Sequence, residues 1–126
     1  MTGAETHDYL VRTESTSTFG RVLLSARDQH LVVDGPVQNG CPGEALTPAE
    51  LFLGGVATCA VELVQVIARQ RGIDVTGVSA EMAGSIDRGH EVRQDVTVFS
   101  SAALRFTLRG VGDEDASALV EAFKGR

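Results

Sequence analysis

Hydrophobic and polar positions fall into three regimes along the chain. The first third carries short runs rich in Val, Leu, Thr and aromatics: residues 9–13 (YLVRT), 18–25 (TFGRVLLS) and 30–34 (HLVVD). Gly20 and the triplet Arg27-Asp28-Gln29 punctuate them, which predicts three strands. Gly35-Pro36 closes the third strand and opens a loop over 35–47 that contains Gly35, Pro36, Asn39, Gly40, Pro42 and Gly43. Loops of this length without their own structure are uncommon in compact domains and often functional.

The second regime is helical. Thr47-Pro48-Ala49-Glu50 reads as an N-cap, a proline at the first helical position and a capping-box glutamate. The helix is expected to run to Arg71 and to stop at Gly72 in a left-handed cap. Its polar residues Thr58, Glu62, Gln65 and Arg69 recur at steps of four, three and four. They form one narrow stripe on an otherwise apolar surface, so this helix is expected to be buried on several sides, as the core helix or in a subunit interface. Gly54-Gly55 weakens the helix by roughly 1 kcal/mol per glycine relative to alanine, which implies that another backbone packs closely there.

The third regime returns to period two. In 78–87, Val78, Ala80, Met82 and Ile86 alternate with Ser79, Glu81, Ser85 and Asp87. In 92–109, Val96, Val98, Leu104, Phe106 and Leu108 keep one phase, with a bend expected at Ser100-Ser101 and a hairpin turn at Arg88-Gly89-His90. A final helix begins near Asp113, with Glu114 and Asp115 at its positive end, and carries Leu119, Val120 and Phe123. The order βββ-α-ββ-α predicts an α+β fold. No repeat, low-complexity tract or linker interrupts it, so 1–126 reads as a single domain.

Composition narrows the function. A net charge of −6 without basic, aromatic-interleaved runs repels phosphate backbones and argues against nucleic acid as a partner. Met1 to Arg12 has no apolar signal core. The longest uncharged apolar run, Leu51 to Val61, falls short of the roughly 20 residues of a membrane span. The expectation is a soluble, cytoplasmic protein with no membrane partner. Cys41 and Cys59 are too few for a disulfide scaffold or a Cys-only zinc site. His7, His30 and His90 lack metal-ligand spacing and read as surface residues, and the glycines of 35–43 lack the Gly-Lys-Ser/Thr ending of a phosphate loop. No cofactor or metal is expected.

Three positions remain as chemistry. Cys59 sits in mid-helix with Phe52, Gly55, Val56, Leu63 and Val66 as its helical neighbours. Spacing alone favours a small buried hydrophobe. Reactivity would need a thiolate stabilised by a cation or donor, and the helix supplies no cation within a turn, which leaves an arginine of the N-terminal strands. Glu50 is accounted for by the capping box. In an unbroken helix the nine-residue step puts it about 13.5 Å from Cys59 along the axis and on the opposite side, so it reaches that thiol only through an intermediary or from a second subunit. Cys41, in the loop, reads as an exposed, flexible thiol, either incidental or able to condense with a sulfenic acid on Cys59.

The segment Gly35-Pro36, Gly40, Gly43 and Thr47-Pro48-Ala49-Glu50-Leu51-Phe52-Leu53-Gly54-Gly55-Val56-Ala57-Thr58-Cys59 resembles the signature of the OsmC/Ohr superfamily, and the order of elements agrees over nearly the whole chain. The resemblance reverses the reading of Cys59. It implies an intertwined homodimer with sites at the subunit interface and Cys59 as a peroxidatic cysteine. An N-terminal arginine would activate that thiol, with Arg21 the better match and Arg12 the second. Glu50 joins the candidate site, and Cys41 is the one internal candidate for a resolving thiol. The implied activity is reduction of organic hydroperoxides with a dithiol reductant. The alternatives are a non-catalytic module that binds a small apolar ligand at the interface, and a redox sensor.

Two departures favour the broad OsmC-like branch over the dedicated hydroperoxide-resistance branch. The latter has its functional carboxylate directly after the proline, where this chain has Ala49. The family's peroxidases also carry a resolving Cys-Pro just past the position of Phe123-Lys124-Gly125-Arg126. Either that tail is missing from this sequence, or the chain is a one-Cys variant.

Overall fold

The computed structural model describes residues 5–87, 89 and 99–125. The chain separates into two compact units, Met1–Leu51 and Phe52–Arg126.

The first unit is a three-stranded antiparallel sheet in the order β1-β2-β3, with β1 over Arg12–Ser15, β2 over Arg21–Ala26 and β3 over Gln29–Asp34. The expected strand at 9–13 moves three residues along the chain. Tyr9, Leu10 and Val11 have strand-like composition, but they stand 90%, 67% and 60% exposed and pair with nothing in the sheet. The β2–β3 hairpin turns at Arg27–Asp28, with Arg27 in the left-handed region at φ 55°. Ladder pairs therefore run symmetrically from Ala26↔Gln29 to Arg21↔Asp34.

Helix α1 spans Pro48–Gln70. Its start is the expected capping box: the Glu50 amide donates to Thr47 Oγ1 at 3.3 Å, and the Thr47 amide donates to Glu50 Oε1 at 2.9 Å. Its end is the expected left-handed glycine, Gly72 at φ 67°, with the Ile73 amide reaching the Ala68 carbonyl at 2.9 Å.

The second unit packs the C-terminal half of α1 against an antiparallel pair, β4 (Gly77–Ser85) and β5 (Ser101–Arg109), and helix α2 (Asp113–Lys124). Val64, Ile67, Ala68 and Leu119 form its buried centre, surrounded by Ile73, Val75, Val78, Phe106, Leu108, Ala122 and Phe123. Phe106 and Phe123 meet edge to face at 5.5 Å, a favoured aromatic geometry. The period-two reading holds through Met82 and over 104–108: Val78, Ala80 and Met82 are half-buried while Ser79 and Glu81 are exposed, and Leu104, Phe106 and Leu108 alternate with exposed Arg105 and Thr107; Ile86, expected on the buried face, lies past the end of β4 and is 42% exposed. Of the expected strand 92–109, residues 92–98 lie outside the described residues, as do Arg88 and His90 of the expected turn.

Burial along α1 is divided. Ala60, Val64, Ile67 and Ala68 are buried, but Phe52 is 63% and Val56 39% exposed, so among the described residues the second half of the helix lies in a core and the first half stands open in the single chain. Apart from the chain neighbours and the adjoining backbone of the helix itself, no described atom comes within 4 Å of a β-carbon placed on Gly54 or Gly55, and the close backbone expected there is not supplied by these residues. The membrane-length argument also changes. The run Leu51–Val61 is short, yet the complete α1 is, by length and composition alone, long and apolar enough to cross a bilayer. Instead, the side chains of its second half fill the core of this unit.

Candidate functional site

The polar centre of the first unit is a carboxylate that sequence reasoning did not single out. Asp34 is fully buried at the last position of β3, opposite Arg21 at the first position of β2. Arg21 grips it side-on: Nε donates to Oδ1 at 2.8 Å and Nη2 to Oδ2 at 2.9 Å. Oδ2 also accepts the backbone amides of Glu44 at 2.9 Å and Ala45 at 3.0 Å. Buried carboxylates are tolerated when they are charge-paired and hydrogen-bonded in this way. The Arg21 hydrogen bonds, reinforced by the two amides and opposed by burial, hold the Asp34 carboxyl well below the usual carboxylate range. Arg21 in turn is raised above its ordinary value, chiefly by Asp34 and then by Glu44. The Glu44 carboxylate takes a further bond from Arg21 Nη2 at 2.9 Å, but its side chain is 75% exposed, and exposed pairs are heavily screened.

These bonds organise the loop 35–47, which is a folded structure. The Asp34 amide donates to the Leu46 carbonyl, Gly35 to Gly20, and Gly43 back to Gly35, at 2.9, 2.8 and 3.1 Å. A single 3-10 turn over Val37–Asn39 ends at Gly40 with φ 76°. Cys41 is consequently not the exposed, flexible thiol expected. It is half-buried, and its Sγ stands 2.5 Å from where a β-carbon on either Gly20 or Gly35 would be. The two glycines leave a socket, and Cys41 fills it. The loop's glycines serve packing around this side chain as much as they serve turns.

Glu50 lies at the N-terminus of α1, where Oε1 accepts both the amide and the hydroxyl of Thr47 at 2.9 Å. Those bonds lower its carboxyl below the ordinary value. Arg12 is exposed in β1, opposite Ser25. His7 approaches Glu5 at 3.7 Å on the surface, and His30 Nδ1 shares a 2.8 Å bond with Ser25. Among the described residues, no three His, Cys, Asp or Glu side chains gather as a metal site.

Cys59, in mid-α1, is an exposed free thiol. The helical stripe around it, with Phe52, Gly55 and Val56, is exposed as well. The adjacent Thr58 returns its hydroxyl to the Gly55 carbonyl at 3.1 Å and borders an open hollow of about 300 Å³ between α1 and β4, lined by Val61, Glu62, Gln65 and Ala80 among others. The structure thus brings together Arg21, Asp34 and Glu44 in one network and places Cys41 in the loop that the network folds. Asp34 and Glu44 were the missed members. The signal for Asp34 was present, because counting back from a two-residue turn at Arg27–Asp28 pairs Arg21 with Asp34.

No curated protein matches the chain. Among solved structures, an OsmC-like protein from Mycoplasma pneumoniae superposes with a TM-score of 0.80 at 12% identity, covering 97% of this chain and 84% of that one. An organic hydroperoxide resistance protein OsmC from Legionella pneumophila gives 0.75 at 20% identity, covering 97% and 85%. One from Elizabethkingia anophelis, with thiocyanate bound, gives 0.76 at 14% identity, covering 96% and 84%. At these identities the likeness shows the fold. The sequence itself matches the family model for OsmC-like proteins over residues 41–126, from Cys41 in its glycine socket through α1 with Cys59 to the end of α2. By that match, over more than half its length, the chain belongs to the OsmC-like protein family.

Proposed function

We propose that this protein is a thiol-dependent reductant of organic hydroperoxides, and that Cys59 is the peroxidatic residue. The observation that carries the reading is a free, exposed thiol at the Cys59 position of the family motif, on a helix face that it shares with Phe52, Gly55 and Val56. Support comes from the relatives of Legionella pneumophila and Elizabethkingia anophelis, which are named organic hydroperoxide resistance proteins.

In the proposed reaction the Cys59 thiolate attacks one oxygen of the O–O bond. An S–O bond forms as O–O breaks, and the departing alkoxide takes a proton and leaves as the alcohol. Sulfur is oxidised to the sulfenic acid and the hydroperoxide is reduced. A dithiol then condenses with the sulfenic acid, releasing water, and its second thiol frees Cys59 as the dithiol closes to a disulfide. The apolar surroundings of Phe52 and Val56 suit an alkyl or aryl hydroperoxide better than hydrogen peroxide. Arg21 is the proposed activating donor. Glu50 serves through its Thr47 cap by fixing the start of α1. Cys41, packed between Gly20 and Gly35, is a poor resolving thiol, so an external dithiol or a thiol beyond Arg126 fits that role better.

The chain is further proposed to act as one OsmC-like domain in a cytoplasmic homodimer. The apolar side chains exposed in the single chain, Tyr9, Leu10, Phe19, Phe52 and Val56 among them, support a partner subunit covering them. The same exposed stripe also suits the rival reading, a non-catalytic module for a small apolar ligand. Turnover of cumene hydroperoxide with dihydrolipoamide separates the two. Catalysis lost in Cys59→Ser supports the peroxidase, and binding of cumyl alcohol without peroxide consumption supports the module.

A further inference from the structure

We propose that Phe52 and Phe99 form an aromatic wall that selects aryl hydroperoxides, those with an aromatic ring on the carbon that bears the peroxide, over saturated ones of the same size. The inference names the substrate class of the site at Cys59 and rests on the reading of that residue as the peroxidatic thiol. Phe52, Cys59, Gly84 and Phe99 all belong to the unit Phe52–Arg126.

Phe52 precedes Cys59 by seven residues in α1. At 1.5 Å per residue that step is about 10.5 Å along the axis, and it brings the two residues within about 20° of one another around the helix. Gly55 and Val56 lie between them on the same exposed face. Beyond the chain neighbours and the helix's own backbone, nothing described lies within 4 Å of a β-carbon placed on Gly55. Helical side chains lean toward the N-terminus, so the Cys59 thiol leans over this bare turn, in the direction of Phe52. The span accommodates one ring against Phe52 and a short tether from that ring to the thiol.

Phe52 is 63% exposed, yet its ring is held. It stacks on Phe99 with centroids 5.8 Å apart and planes 23° from parallel. Phe99 is itself seated on β4. A β-carbon on Gly84 would stand 2.9 Å from both Cδ1 and Cε1 of Phe99 and 3.2 Å from Leu53 Cδ2, so the Phe99 ring lies over bare backbone with Leu53 beside it. The next residue is anchored as well. The Ser100 amide donates to the Ser85 carbonyl at 2.7 Å, where the β4–β5 ladder ends at Ser85↔Ser101. Gly84 and Ser100 therefore set Phe99, and Phe99 sets the plane of Phe52.

A ring already fixed in its plane binds a second ring with little further ordering. Aromatic pairs in offset or edge-to-face contact gain more than their buried area alone provides. A saturated ring of the same size buries a similar area without that gain. Phe52 is thus the specificity-determining residue, which touches the substrate, and Phe99 and Gly84 are positioning residues that act through it.

The test compares kcat/KM for cumene hydroperoxide and for its ring-saturated analogue, 2-cyclohexyl-2-propyl hydroperoxide, with dihydrolipoamide as reductant. The readout is the ratio of the two values. A general loss of stability or of assembly lowers both and leaves the ratio in place. The parent is expected to favour cumene hydroperoxide by about two- to tenfold. Phe52→Leu keeps an apolar side chain and should bring the ratio close to one, whereas Phe52→Tyr keeps the ring and should retain the parent's ratio. Phe99→Leu should also bring the ratio down, and Gly84→Ala, whose methyl occupies the seat of the Phe99 ring, should do so in part. Should Phe52→Leu fail to fold by far-UV circular dichroism, Phe99→Leu decides. A parent ratio near one, or a folded Phe52→Leu or Phe99→Leu with an undiminished preference, would overturn the aromatic wall while leaving Cys59 as the peroxidatic thiol. A parent that consumes neither hydroperoxide would overturn the peroxidase reading and this inference with it.

Discussion

Gly35→Ala is a purely steric perturbation of the first unit. Its β-carbon would stand 2.5 Å from Cys41 Sγ and 2.9 Å from Cys41 Cβ, against the 3.5–4.0 Å of an ordinary carbon contact. Rotating the thiol relieves the first contact at most. The same sulfur is already 2.5 Å from the β-carbon position of Gly20, so the socket has little slack. The second contact involves an atom fixed by the backbone and yields only if the loop moves. Gly35 is not among the glycines at positive φ, so the cost is steric and not conformational. Overpacking of this kind costs about 1–3 kcal/mol. With a urea slope of about 1.5 kcal/mol/M, 2 kcal/mol lowers the midpoint by roughly 1.3 M. Circular dichroism in urea at fixed protein concentration measures it, and the cycle with Cys41→Gly isolates the contact. Removing both side-chain atoms of Cys41 should recover most of the Gly35→Ala loss, a coupling of about 1–2 kcal/mol. The socket is refuted if Gly35→Ala lies within about 0.5 kcal/mol of the parent, or costs the same in both backgrounds.

Further outcomes follow from the same geometry. Leu119→Ala empties the centre of the second unit, where Leu119 is fully buried, and should cost about 2–5 kcal/mol in the same urea assay. Thr47→Ala removes one side of the capping box and should cost about 0.5–2 kcal/mol, with helix content by circular dichroism as a second readout. Because the Asp34 carboxyl is depressed by Arg21 in the fold, the stability it contributes is complete above its unfolded value near pH 4 and is lost as pH falls from there toward its lower folded value. Urea midpoints measured from pH 7 down to pH 2.5 should therefore fall more steeply below about pH 4 in the parent than in Asp34→Asn. Light scattering at micromolar concentration should give the mass of a dimer, as expected of an interface above roughly 2,000 Å², and Phe52→Asp, on the exposed half of α1, should shift it toward monomer.

The legible parts of this protein are those set by local chemistry. Thr47, Pro48, Glu50 and Gly72 mark the ends of α1 because capping depends on neighbours a few residues away. The period of two in β4 and β5 shows which face is buried. Where partners are distant in sequence, the local pattern misleads. Tyr9, Leu10 and Val11 have strand composition, yet the ladder starts at Arg12 because pairing with β2 decides it. Asp34 reads locally as a strand-ending turn residue, and its role appears only once the hairpin register sets it opposite Arg21. The two glycines flanking Cys41 in space, Gly20 and Gly35, look in sequence like ordinary turn residues. Cys59 was found through its family motif, since its helical spacing alone resembles that of a core residue.

Stoichiometric oxidation tests the central claim most directly. The reduced chain is treated with one equivalent of cumene hydroperoxide, trapped with dimedone, and analysed by intact mass and peptide mapping. A peroxidatic Cys59 predicts one dimedone adduct per chain, on the peptide containing Cys59, with cumyl alcohol formed in equal amount and no adduct in Cys59→Ser. Unreacted hydroperoxide beside an unmodified Cys59, or an adduct that forms on Cys41 and persists in Cys59→Ser, would contradict it.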